Sequence, residues 1–268
     1  MTTSPLRSWR AAWMLLTRIP LPHERVGTSG PDHDAVRAAP LWFPVVGATI
    51  GASVGAVYAT LFDLIGAFTA AAVAVSVGAL LTGALHQDGL ADVADAFGGG
   101  WTVERRLEIL KDSHIGTYGT LALVCAFGVQ TSALAQHDRA EGLAILVAAH
   151  TLGRGGIVVL MLVAPRASST GLGASYSRGL GRAATAGAAC GALLIGALVL
   201  GPLVLFAAAT AGLAVVLMGA LAWRKIRGVT GDVLGAAEQL AETAVLVTGA
   251  AFVRHADNWP NGPWPWWH

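Results

Sequence analysis

Apolar runs close to the thickness of a lipid bilayer, separated by short charged clusters, constrain this chain most. One of them, AFTAAAVAVSVGALLTGAL at 67–85, carries no charge at all. A helix needs about 20 mostly apolar residues to cross the hydrocarbon core. In lipid every backbone polar group must be satisfied within the segment, which leaves helices and closed barrels. The runs therefore predict an all-α polytopic membrane protein. Composition agrees, with 54% apolar and 12% charged residues, where soluble domains carry about 25% charged. A net charge of +1 gives no reason to expect a nucleic-acid partner. Cys125 and Cys190 each lie inside an apolar run, which argues against a disulfide framework or a zinc site.

About seven transmembrane spans can be drawn, at 40–62, 66–85, 115–135, 143–165, 184–200, 203–222 and 233–253, with short amphipathic interfacial helices beside them. Very short links make hairpins of spans one and two and of spans five and six, the latter hinged at Gly201-Pro202. Seven spans put the basic segments on one side. These are Arg7 to Arg37, Arg105 to Lys111, Arg166 to Arg182, and Arg224 to Arg227. The positive-inside rule makes that side cytoplasmic. The chain is then one integral membrane domain, expected in the bacterial inner membrane. It has a cytoplasmic amphipathic segment at 1–39, a cytoplasmic acidic loop at 86–114 and a Trp/Pro-rich tail at 254–268. Trp9, Trp13 and Leu16 share one helical face, which suits a helix at the interface. Gly47, Gly51 and Gly55, four residues apart, would let helices approach closely.

The acidic loop opens with HQDGLADVAD at 86–95. On a helix, Asp88, Asp92 and Asp95 project within about 60° of one another, whereas His86 projects about 160° from Asp88. Three like charges on one stripe repel, and a cation among them relieves this. Oxygen ligands favour Mg²⁺ or Mn²⁺ over zinc. His86 is left between a packing role and, if Gly89 breaks the helix, an inward-facing one. Residues 103–111 read as an amphipathic helix that delivers Lys111, Asp112, Ser113 and His114 to the start of span three. Lys111 suits either a phosphate or the lipid headgroups, and Asp112 is a further candidate metal ligand. Arg154, one turn from His150 inside span four, needs an anion: a ligand phosphate or an acidic side chain. Asp232 stands where it either caps span seven or meets a ligand. Glu238 and Glu242 lie one to two turns further in, which implies a polar interior or a cation.

Several motifs together resemble the cobalamin synthases, the adenosylcobinamide-GDP ribazoletransferases. They are LTRIPLP at 16–22, FPVVGATIG at 43–51, LLTGALHQDGLADVADAFGG at 80–99, ILKDSHIGTYG at 109–119 and GVTGDVLGA at 228–236. Two positions depart from the pattern, His114 where arginine is more usual and Ala96 where glycine is common. The resemblance implies a Mg²⁺-dependent transferase that joins α-ribazole, or its 5′-phosphate, to adenosylcobinamide-GDP and releases GMP. It implies metal ligation by Asp88, Asp92, Asp95 and Asp112. Substrate contacts would come from Lys111, Ser113, His114, Arg154 and Asp232. Catalytic roles would fall to Asp88, Asp92 and His86, an aspartate or His86 taking the proton of the ribazole 5′-hydroxyl. Other enzymes of the same pathway are expected partners. Two alternatives are a cation-coupled transporter and another metal-dependent membrane phosphotransferase. The aspartate pattern of the CDP-alcohol phosphotransferases, D-G-x-x-A-R, is not matched, because Asp92 follows Ala91 directly.

Overall fold

The structure, a computed structural model, describes residues 4–22, 33–167, 172–178 and 180–255. Arg25 and residues 256–268 of the Trp/Pro-rich tail lie outside them. Among the described residues the chain is helical throughout, with one isolated bridge between Arg166 and Val229. Four helical runs are long and apolar enough to cross a membrane: His33–Ile65, Thr117–Leu134, Arg139–Val163 and Arg182–Ile226. A fifth is added if Ala67–Thr82 and Leu85–Gly99 count as one broken span. Their outer faces expose large apolar side chains such as Leu80, Val124, Leu194, Leu205 and Val216. A soluble monomer does not display apolar surface on this scale, so the chain is a membrane protein.

In chain order the α-helices are α1 (Pro5–Leu16), α2 (His33–Ala38), α3 (Phe43–Ile65), α4 (Ala67–Thr82), α5 (Leu85–Gly99), α6 (Val103–Ile109) and α7 (Thr117–Leu134). They continue with α8 (Arg139–Val163), α9 (Leu172–Ser177), α10 (Arg182–Leu200), α11 (Val204–Ile226) and α12 (Gly231–Arg254). The central helix is α8, buried along most of its length. Its start is fixed by a capping box: Asp138 Oδ1 accepts from the Glu141 N–H (2.8 Å) and Glu141 Oε2 from the Asp138 N–H (3.0 Å).

Close contacts fix the direction of each helix beside α8. A Cβ on Gly51 would lie 2.5 Å from the Leu146 carbonyl oxygen, and one on Gly55 would lie 2.9 Å from Leu143 Cα. The glycine row of α3 thus lets two backbones touch, as its spacing suggests, and α3 runs antiparallel to α8. Ala192 packs on Gly155, and Leu152 on Gly196, so α10 is also antiparallel to α8. Val215 meets Gly156 and Leu160 meets Gly219, so α11 is parallel to it. The helical run 182–226 therefore doubles back, and it does so at Gly201, whose φ of 55° and ψ of −136° leave the helical region. Glu238 meets Gly153, and Ile145 meets Gly249, which makes α12 antiparallel to α8.

The bend between α4 and α5 positions the acidic motif. The two helices meet at 93°. Gly83 (φ 65°) and Ala84 (φ 56°) both adopt the left-handed conformation there, ending α4 and restarting the chain in a new direction. The Arg18 N–H donates to the Leu81 carbonyl (2.8 Å), so the segment after α1 is tied to this bend. α1 itself packs on the bundle: Ala12 and Leu16 are buried, and the Trp9 and Trp13 rings lie 5.5 Å apart.

Candidate active site

The helix α5 runs unbroken through Gly89, so the projected stripe of Asp88, Asp92 and Asp95 is real. Gly89 instead serves close packing. A Cβ there would lie 2.7 Å from the Asp232 carbonyl oxygen, and Gly235 faces the His86 backbone in turn. This approach sets the start of α12 beside the stripe. Asp232 does not cap α12. Thr230 does, its hydroxyl accepting from the Val233 N–H (3.3 Å) and donating to Asp232 Oδ2 (3.1 Å).

Asp92 lies between its neighbours. Burial, then the charges of Asp88, Asp232 and Asp95, push its carboxyl up to about 7. Asp95 is committed differently. Its Oδ2 accepts from the Gly116 N–H (2.7 Å) and its Oδ1 from the Gly119 N–H (2.9 Å), so it closes the first turn of α7. Residues 88–95 thus sit level with the first turns of α7 and α12, at the mouth of the bundle.

A cavity of about 410 Å³ opens beside this mouth. Asp88, Lys111, Thr230 and Asp232 supply its polar lining together with His86. Asp112, Ser113 and His114 do not line it and are exposed. Asp112 Oδ1 takes the His114 N–H (3.1 Å) and stands 2.6 Å from His114 Nδ1, which holds the Asp112 carboxyl below the usual range.

Arg154 lies elsewhere. Its guanidinium is 1% exposed and pairs with Glu238 Oε1 at 2.5 Å, 3.1 Å from His150 Nδ1. His150 Nδ1 in turn stands 2.9 Å from Glu242 Oε2, and His86 Nδ1 stands 3.3 Å from Glu238 Oε2. Gln239 donates to Glu238 Oε2 (3.0 Å) and Gln130 donates to Thr243 (2.9 Å). Of the two anions open to Arg154, the structure supplies the acidic side chains. His150, Glu238 and Glu242 are close enough to hold a metal ion, but the guanidinium already stands among them, and it meets the need for a cation. His86 faces this network through Nδ1, on the side away from the aspartate stripe, as its helical angle indicates. Gln130, Gln239 and Thr243 are members that carry no motif and little charge, so no pattern in the sequence marked them.

Among known proteins, the family described as cobalamin-5-phosphate synthase matches residues 8–250. The chain belongs to that family. It is an enzyme of cobalamin synthesis. An adenosylcobinamide-GDP ribazoletransferase of Bradyrhizobium diazoefficiens is 41% identical over 230 residues, covering 85% of this chain and 88% of the relative. One from Ralstonia nicotianae is 38% identical over 253 residues (88% and 93%), and one from Shewanella piezotolerans is 35% identical over 270 residues (92% and 100%). No solved structure matches the chain. These relatives of the enzyme are transferases, which disfavours the transporter alternative.

Proposed function

We propose that the enzyme joins α-ribazole or its 5′-phosphate to adenosylcobinamide-GDP with release of GMP. The observation that carries this reading is one cavity mouth lined by carboxylates from two helices, Asp88 and Asp232, with Lys111 beside them. The oxygen donors of Asp88, Asp92 and Asp232 are of the kind that Mg²⁺ prefers, and the crowding that raises Asp92 is what a bound cation would relieve. When bound, Mg²⁺ would supply charge neutralisation to a pyrophosphate. Of the other ligands named from the sequence, Asp95 has both oxygens taken by backbone N–H groups and Asp112 lies outside the cavity lining, so Asp232 is the third ligand of this scheme.

The chemistry is a substitution at the phosphorus that carries the cobinamide. The bond from that phosphorus to the oxygen bridging to GMP breaks, and a bond to a ribose oxygen forms. The family description names a 5-phosphate product. A 5′ oxygen that keeps its phosphate cannot be the nucleophile, so the 5′-hydroxyl expected from the sequence is replaced by another ribose hydroxyl. Its proton passes to a carboxylate at the mouth, Asp88 or Asp232. Lys111 stabilises the negative charge that develops on GMP. His86, turned to Glu238, is a positioning residue in this scheme.

The helix directions support seven crossings. With α3, α10 and α12 antiparallel to α8, α11 parallel to it, α4 folded back on α3 so that Gly78 faces Val54, and α7 starting level with α12, spans α3, α4, α7, α8, α10, α11 and α12 alternate. The acidic mouth then falls on the side of the basic segments, the cytoplasmic face of the inner membrane. The test is GMP release by the purified, detergent-solubilised enzyme with Mg²⁺ and with EDTA. Release is expected only with Mg²⁺, and to be lost in Asp92→Ala. Activity that survives both changes refutes the metal role; no GMP release by the wild type with both substrates refutes the reaction.

A further inference from the structure

Most of the cavity's lining is apolar. Its walls are Leu16 from α1, Phe43 from α3, Leu107 and Leu110 at α6, and Ile157 and Met161 from α8. Five of these six are at least nine-tenths buried; Leu107 is half-buried. The aromatic side is completed by Tyr176, whose ring lies 6.1 Å from that of Phe43 and whose hydroxyl donates to the Ala11 carbonyl (3.3 Å). One cavity thus combines apolar walls with two carboxylates and a lysine.

We infer that this chamber holds the base of the acceptor nucleoside, with its ribose at Asp88 and Asp232. The inference rests on the proposed reaction and says which substrate goes where. α-Ribazole carries a dimethylated benzimidazole, a flat two-ring base whose edge has methyl groups and no hydrogen-bond donor. A cavity of about 410 Å³ lies at the small end of ligand sites, which run from about 300 to 1,000 Å³. It suits a two-ring base on one ribose, and the corrin macrocycle with its amide arms is too large for it. Guanine is the other flat base in the reaction. Its edge presents N–H donors and carbonyl and ring-nitrogen acceptors. Against Leu16, Ile157 and Met161 these would go unpaired, at a cost of a few kcal/mol. Apolar walls therefore select the base of the acceptor and leave the guanosine end outside. Base burial against the apolar walls also leaves the ribose to the carboxylates.

Calorimetric titration of α-ribazole into the full-length, detergent-solubilised enzyme, in EDTA and without corrinoid, tests this. Saturable binding is expected, weakened about tenfold or more by Met161→Trp, which fills the chamber, and by Ile157→Asn, which adds an unpaired amide. Met161→Leu, which keeps the volume, is expected to bind within a few-fold of wild type. In turnover the KM for α-ribazole should rise in Leu110→Phe while the KM for adenosylcobinamide-GDP stays put. A rise confined to the corrinoid KM, or GMP that displaces α-ribazole competitively without Mg²⁺, would place the guanosine end in the chamber and overturn the inference. So would binding indifferent to all four variants. Wild-type enzyme that releases GMP while these variants bind normally sinks this inference alone.

Discussion

At the scale of single residues, Asp92 is the group whose ionisation the fold disturbs most outside the spans. Its carboxyl, ordinarily near 3.8, is pushed up to about 7 by burial and by Asp88, Asp232 and Asp95. The folded protein therefore holds a proton that the unfolded chain releases near 3.8. Below that value both states are protonated and the crowding costs nothing. Stability should fall as pH rises from about 4 to about 7 and level off above, in protein without divalent cation. The difference in melting temperature between the wild type and Asp92→Asn, followed from pH 4 to pH 8 in EDTA, should show this slope, because the other titrating groups cancel in it. Mg²⁺ should raise the melting temperature most above about pH 7, where it competes with no proton. The aspartate stripe was legible because helical geometry alone fixes it. Asp95 shows the limit of that reading. Its angle on the helix is right, yet its carboxylate closes the first turn of α7, 21 to 24 residues away in the chain. No local pattern reveals such a cap.

At the scale of elements, the site depends on how closely α5 and α12 approach. Gly89 has Asp232 backbone atoms 2.7 and 3.0 Å from where a Cβ would stand, whereas Gly235 has its nearest neighbour at 3.3 Å. Backbone cannot swing aside as a side chain can. Gly89→Ala should therefore separate the helices, lower the melting temperature and lose GMP release about tenfold or more, in line with the sensitivity of a positioned site to small displacements. Gly235→Ala should cost much less in both assays. Equal effects would show that the α5–α12 approach does not set the site. The motifs HQDGLADVAD and GVTGDVLGA were readable as separate pieces; that glycines in each face the other's backbone was not. The bend at Gly83-Ala84 escaped for a similar reason. Ala84 in a left-handed conformation is uncommon for a residue with a Cβ, and nothing in its neighbours marks it.

For the whole molecule, α8 collects the other helices and carries the buried cation. Arg154→Met should leave Glu238 and Glu242 without it, at a cost of about 3–5 kcal/mol for a broken buried pair. The yield of folded protein should drop, and Arg154→Met with Glu238→Gln should recover part of it. No recovery would mean that the guanidinium acts through packing and not through charge. The proposed crossings are checked by single cysteines in a background with Cys125 and Cys190 replaced, both being free and exposed. Ser113→Cys should react with an impermeant thiol reagent only in opened or inverted vesicles, and Gln136→Cys in intact cells. Reaction of both from one side would refute the alternation. Hydropathy made the membrane class plain, and the charge bias suggested an orientation. The partners of α8 came only from contacts between small residues, which composition does not order.

The ion pair between Arg154 and Glu238 also bears on how the protein is made. α12 is not among the helices long and apolar enough to cross by themselves, and it leaves the ribosome after α8. Arg154, already emplaced in α8, waits for it. Integration of α12 then draws on a partner and not on hydropathy, so a chain stopped before residue 231 is expected to expose an uncompensated charge in lipid. Quality control has a ready mark by which to recognise copies that lack α12.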